Sequence, residues 1–197
     1  MSDVWAIVLA AGASSRMGTQ KLLLPFGGKT VIEKVIEQVE SVVKSNILVV
    51  LGSHRDEIRN KIGRPQVKYI HNELYMEGML SSVICGFKAL PDDVKAALLY
   101  LGDQPQIPSG IALQVISAWR QSGKGIVIPV FSGKRGHPVL IETRYMKEIE
   151  QLDPEQGLRM LSKKFSSDVQ EVECTSQEIL RDIDTPEDYQ QEINKTK

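Results

Sequence analysis

Val4 to Leu9 is an unbroken apolar run, V-W-A-I-V-L, rich in β-branched residues. A half-buried strand would alternate apolar with polar, and an amphipathic helix would place polar residues every third or fourth position. A run without polar residues suits a strand covered on both faces, as in a parallel sheet clothed by helices. Comparable stretches follow at 46–51, 96–101 and 125–130, with a shorter one at 67–70. Between the first two, Thr30 to Lys44 carries Val31, Ile32, Val35, Ile36, Val39, Val42 and Val43 at helical spacing. Ser53 to Ile62 is a second helix, with Ser53 as its N-cap and Gly63-Arg64-Pro65 as its stop. Strand, helix, strand, helix, strand is the rhythm of a parallel sheet with helices on both sides. The expectation is an α/β fold: a three-layer α/β/α sandwich around a mostly parallel twisted sheet, Rossmann-like, filling one domain over residues 1–197.

The first strand breaks at Ala10-Ala11-Gly12, where small side chains let another molecule approach the backbone. Ser14, Ser15, Arg16 and Lys21 follow in the same loop, with Gly18 between them. Free N–H groups, hydroxyls and two cations in one turn suit a polyphosphate. Two familiar phosphate loops do not fit. The residue two after Gly12 is Ser14, so the dinucleotide fingerprint is missing, and a P-loop ending at Gly28-Lys29-Thr30 would need a glycine where Leu23 stands. Thr30 reads instead as a helix cap, with Glu33 completing a capping box.

The rest of the chain adds acids and turns. A helix over 78–90 opens with Ser81 and Ser82, either of which could be a cap. The strand at 96–101 runs into Gly102-Asp103-Gln104-Pro105, placing a carboxylate at the sheet edge where open α/β folds bind ligands. Asp103 has no cation near it in sequence, so a buried acid there calls for Mg²⁺ as partner. Pro108 opens a helix through Gln121; Ser132 to Gly136 is a small β-hairpin turn; Val139 to Ile141 returns as a strand. Tyr145 to Leu152 is helical, Asp153-Pro154-Glu155-Gln156-Gly157-Leu158-Arg159 starts another helix, and Val169 to Val172 is a late strand. Thr185-Pro186-Glu187-Asp188 is a strong helix start. Just before it, Asp182 and Asp184 alternate on a segment expected to return to the sheet as a strand, which would point both the same way.

The pattern L-A-A-G-x-S-x-R-M-G-x-x-K-L-L-L-P-F resembles the signature loop of nucleotidyltransferases with a glycosyltransferase-A-like fold. Within them it is most similar to the molybdenum-cofactor cytidylyltransferases and their relatives. The resemblance implies that Leu9, Ala10, Ala11 and Gly12 lie beside the base, and that Ser14, Ser15, Arg16 and Lys21 hold the triphosphate. Ser82, in Ser82-Val83-Ile84-Cys85-Gly86, matches a base contact. Asp103 matches the first magnesium ligand, and D-I-D-T-P-E-D-Y the second, with Asp182 favoured and Asp184 close behind. Arg135-Gly136-His137-Pro138 resembles the segment facing the acceptor, so that Arg135 and His137 would contact it. Arg16, Lys21 and Asp103 would then be the catalytic residues, with Mg²⁺ as cofactor.

The implied reaction transfers a nucleoside monophosphate, most simply CMP from CTP, to the terminal phosphate of an acceptor such as molybdopterin, with a molybdoenzyme as downstream partner. Ala11 stands where guanylyl-transferring relatives tend to carry a second glycine, which favours a pyrimidine. A GTP-dependent guanylyltransferase and a sugar- or polyol-phosphate nucleotidyltransferase are the alternatives. A non-catalytic cofactor-delivery chaperone is the alternative of another class. The Asp-x-Asp of related glycosyltransferases is Asp103-Gln104-Pro105 here, which disfavours that activity. A formal net charge of −1 gives no bulk attraction to nucleic acid or membrane, so phosphate affinity must be local. Cys85 and Cys174 are far apart and predict free thiols in a reducing cytoplasm.

Overall fold

The computed structural model describes residues 3–14 and 17–195. The opening apolar run is β1 (Val4–Ala10). A two-stranded ribbon, β2 (Pro25–Phe26) and β3 (Lys29–Thr30), leads into α1 (Val31–Val43). There follow β4 (Ile47–Leu51), α2 (Arg55–Ile62), β5 (Lys68–His71) and α3 (Met79–Lys88). The second half holds β6 (Ala96–Leu101), α4 (Ser109–Ser122), β7 (Ile126–Phe131), β8 (Lys134–Arg135) and β9 (Val139–Glu142). It closes with α5 (Met146–Glu150), α6 (Arg159–Lys164), β10 (Val169–Glu173) and α7 (Pro186–Lys195).

One eight-stranded sheet runs β10-β7-β9-β6-β1-β4-β5, with β8 paired to β7. The β1, β4, β5 and β6 pairings are parallel, as is β10 with β7, whereas β9 is antiparallel to both its neighbours. Side chains of β1 show why the run had to be apolar throughout. Val4, Ala6, Val8 and Ala10 enter a core with Val31, Ile32, Val35 and Val39 of α1 and Val115 of α4. Ile7 points the other way, to Leu80, Val83 and Phe87 of α3 and Ile149 of α5. Alternate residues of one strand serve two helix layers, which gives the expected three-layer sandwich.

The cap expectations separate by local geometry. Thr30 Oγ1 accepts the Glu33 N–H while Glu33 Oε2 accepts the Thr30 N–H at 2.8 Å, a full capping box. Thr185 and Asp188 repeat it before α7. Ser53 is not a cap. Left-handed His54 precedes α2 without a side-chain cap bond, and Ser53 donates its backbone N–H to the Ala11 carbonyl instead. Neither Ser81 nor Ser82 caps α3, which starts at Gly78 and Met79, leaving both serines inside the helix. The hairpin is tight: Ser132 and Gly133, both at positive φ, link β7 to β8, as two-residue hairpin turns require. Residues 181–185 form no strand. Among the described residues no helix is long and apolar enough to cross a membrane.

Because β1, β4 and β6 are parallel and in close register, their carboxyl ends emerge side by side. The turns after them carry Gly12, Gly52 and Asp103 to one edge of the sheet.

Candidate active site

A cavity of about 530 Å³ opens at that edge. Its wall includes Leu9, Ala10, Ala11, Gly12, Ser14, Lys21, Ser82, Asp103, Asp182 and Asp184, which gathers residues from four separate stretches of the chain. Ser15 and Arg16 lie outside the described residues. Arg135 and His137 are elsewhere, lining a second cavity of about 560 Å³ between the sheet and the 154–163 segment. Met79 borders both cavities.

The loop after β1 is held open by Gln20, which sequence reasoning passed over. Only 6% exposed, it accepts the Ser14 hydroxyl at 2.7 Å and the Leu22 N–H at 3.3 Å, and donates to the Gly12 carbonyl at 3.4 Å. Ser14 Oγ in turn accepts the Lys21 N–H at 3.2 Å. One buried amide therefore fixes both ends of the loop. Nothing in its spacing marks it, because a glutamine in a polar stretch usually faces water. Asn72 does similar work across the cavity, donating to Ser81 Oγ at 2.9 Å and Ser82 Oγ at 3.0 Å.

Lys21 reaches between two remote acids. Its Nζ lies 2.5 Å from Asp103 Oδ2 and 2.8 Å from Asp184 Oδ1. Burial opposes its charge, but Asp103 and then Asp184 outweigh that and raise its pKa above the ordinary lysine value. Asp182 sits on the same wall, where the Lys21 ammonium acts on it only at longer range. Although the residue reaches solvent, desolvation of its carboxylate and the charge of Asp103 push its pKa up, against the hydrogen bond from Gln104. The strand expected for 182–184 is absent, yet both acids face one cavity. The segment is tied there by the Ile183 N–H to the Asp103 carbonyl at 3.2 Å, not by a ladder.

The wall of small residues leaves little room for change. A Cβ on Gly52 would stand 2.5 Å from the Ala11 carbonyl oxygen and 2.7 Å from Tyr75 Cβ. Ala11 lines the cavity, so a shift of its carbonyl to admit the Cβ would move that wall. Gly52→Ala is therefore expected to cost about 1–3 kcal/mol through overpacking. It should also abolish nucleotide-induced stabilisation, both read by thermal unfolding with and without nucleotide.

In the second cavity the Arg135 guanidinium is engaged, bonding Glu171 at 2.7 Å and Ser162 Oγ at 3.0 Å. Burial lowers the His137 pKa to about 4 from an ordinary 6.5. An unfolded chain thus takes up this proton before the folded one does. The stabilisation is complete above pH 6.5 and is lost as pH falls from there through the folded value. Between pH 8 and pH 5 the loss comes to about 2 kcal/mol. His137→Asn removes the titration, so the gap in unfolding free energy between those two pH values should shrink by about that amount relative to the unaltered chain. Chemical denaturation at each pH checks it.

A doubly covered α/β sheet, a glycine-bearing loop after β1 and acids at the ends of distant segments facing it define a phosphate-handling nucleotide enzyme, of the nucleotidyltransferase class. The chain belongs to the MobA-like NTP transferase family, whose pattern matches residues 6–171. It is 30% identical over 190 residues to the molybdenum cofactor cytidylyltransferase of Escherichia coli (strain K12), covering 96% of this chain and 95% of that one. Among solved structures it is similar to the Mycobacterium tuberculosis rv0371c homologue from Mycobacterium sp. strain JC1. The TM-score is 0.87 at 24% identity, over 98% of this chain and 96% of that one. It also superposes on Rv0371C from Mycobacterium tuberculosis H37Rv in complex with manganese, with a TM-score of 0.81 and 21% identity over 98% and 99% of the two chains. These structural likenesses carry the fold, which is the expected three-layer nucleotidyltransferase sandwich. The family makes the chain a nucleotidyltransferase enzyme, and the delivery-chaperone alternative falls away.

Proposed function

We propose that this enzyme transfers CMP from CTP to the terminal phosphate of a small acceptor of the molybdopterin kind, releasing pyrophosphate. The observation that carries the reading is the cluster of Lys21, Asp103 and Asp184 in one cavity with the small-residue stretch at 9–12. In the reaction an acceptor phosphate oxygen attacks the α-phosphorus, and the bond from that phosphorus to the α,β-bridging oxygen breaks. Both reactants are anions, so positioning and charge neutralisation do the work and no side-chain nucleophile is needed.

The acids suit a divalent cation. Asp103 Oδ1 is buried and, among the described residues, has no hydrogen-bond partner. Among those residues no three His, Cys, Asp or Glu side chains form a metal cage. Mg²⁺ does not ask for one, since it is commonly held by one or two carboxylates together with substrate phosphates and water. Asp103 with Asp182 would hold it, Asp184 standing by. When bound, the ion offsets charge on the phosphates as pyrophosphate departs.

Lys21 bridges Asp103 and Asp184; were a cation to neutralise those carboxylates, its ammonium would be free to bond the phosphates of the incoming nucleotide. Ser14 and the N–H groups near Gly12 line the same path. Ala11, Gly12 and Ser82 flank the base, the Ala11 methyl narrowing its seat in favour of a pyrimidine. The acceptor enters through the second cavity, past Met79, where Arg135 and neutral His137 lie.

The test pairs thermal unfolding with product analysis. CTP with Mg²⁺ should raise the melting temperature more than GTP with Mg²⁺, since a ligand bound only to the folded chain stabilises it. Mass spectrometry of the product formed from CTP and a cofactor extract should show a cytidylylated acceptor. Equal or greater stabilisation by GTP, with a guanylylated product, would replace the cytidylyl reading.

A further inference from the structure

Residues 181–185 reach the active site without strand pairing, so something else must place Asp182. The turn after β6 supplies it. Gln106 Nε2 donates to the Arg181 carbonyl at 2.5 Å, and the Ile183 N–H donates to the Asp103 carbonyl at 3.2 Å. Between these two backbone anchors, Gln104 Nε2 donates to Asp182 Oδ1 at 2.5 Å. Gln104 is 5% exposed, whereas Asp182 reaches solvent, so the rigid partner is the amide and the guided one is the acid. The amide has one workable orientation toward an ionised carboxylate, because turning it round would set oxygen against oxygen. Its own Oε1 is buried and without a partner among the described residues, a cost accepted for keeping Nε2 on Asp182.

We propose that Gln104 is a positioning residue that fixes Asp182 through Oδ1 and so sets how the remote acid meets Asp103 at a shared divalent cation. The inference rests on the reading of these acids as a cation site. Its physical basis is general: a carboxylate that ligates a metal is oriented by the hydrogen bond on its other oxygen, and losing that partner weakens metal binding by about 10–100-fold. The direct neighbour of Asp103 in sequence thereby acts on an acid 78 positions away from itself.

Manganese serves as the probe, because free Mn²⁺ is counted by electron paramagnetic resonance and needs no turnover. In the unaltered chain, Gln104→Leu should raise the Mn²⁺ dissociation constant at least about tenfold with CTP present. Its melting temperature in chelator should stay within a few degrees of the parent. On an Asp182→Ala background the same substitution should weaken binding less than twofold further, because the group it guides is gone. Gln104→Met is the second variant should the leucine chain fail to fold. Unchanged Mn²⁺ affinity in Gln104→Leu, or a full additional loss on the Asp182→Ala background, overturns the positioning role alone. An unaltered chain that binds no Mn²⁺ overturns the cation-site reading and this inference with it.

Discussion

Asp103→Asn is expected to lower pyrophosphate release from CTP and acceptor by about a hundredfold or more, the scale of losing one charge-stabilising group in a closed site. The substitution keeps shape and removes charge. Asp103 sits at the end of β6, fixed by the parallel register of β1 and β6, and its backbone carbonyl would still hold Ile183. Folding should therefore survive while the site loses the acid whose buried Oδ1 has no other partner among the described residues. Steady-state turnover and thermal unfolding on the same preparation check this together. Near-normal turnover in a folded Asp103→Asn chain would remove the acid from the reaction.

Lys21→Met carries the second large effect, and it divides by condition. The ammonium is mostly buried and bridges Asp103 and Asp184, whose side chains are 18% and 43% exposed. Without it, Asp103, Asp182 and Asp184 still share one wall, and the ammonium that Asp103 and Asp184 bind in common is gone. In chelator the variant should lose about 2 kcal/mol of stability, below the usual cost of breaking a fully buried pair because the acids keep access to solvent. Millimolar Mg²⁺ should return a larger share of stability to the variant than it adds to the parent, since the ion replaces the missing charge. Turnover should still fall about a hundredfold or more with Mg²⁺ present, because the positive group on the phosphates is absent. A Lys21→Met chain as stable as its parent in chelator would show that the bridge contributes nothing to the fold.

The two variants also probe how far the site was legible in advance. Asp103 announced itself: an acid following a wholly apolar strand has few structural excuses. The loop after β1 was legible from Gly12, Ser14 and Lys21, and the caps at Thr30 and Thr185 from their partners three residues on. Ser53 misled because a serine before a helical pattern looks like a cap, whereas the chain needed its N–H for Ala11. Gln20, Asn72 and Gln104 were invisible, since a buried amide and a solvated one read alike in a sequence. Arg135 and His137 stand beside a proline turn that resembles a substrate segment, but only packing shows that they face a second cavity rather than the acids.

Sequence alone determined what depends on neighbours within a few positions: which apolar runs are strands, which face of α1 is buried, where α1 and α7 begin, and that small residues follow β1. Tertiary structure decided the rest. It inserted β9 antiparallel between β6 and β7, held residues 181–185 by glutamine amides instead of a strand, and laid Lys21 between acids 82 and 163 residues away. The reason is range. Periodicity and capping act over one turn or one pleat, whereas a bridge between distant side chains exists only once two helix layers have closed on the sheet and brought its strand ends together.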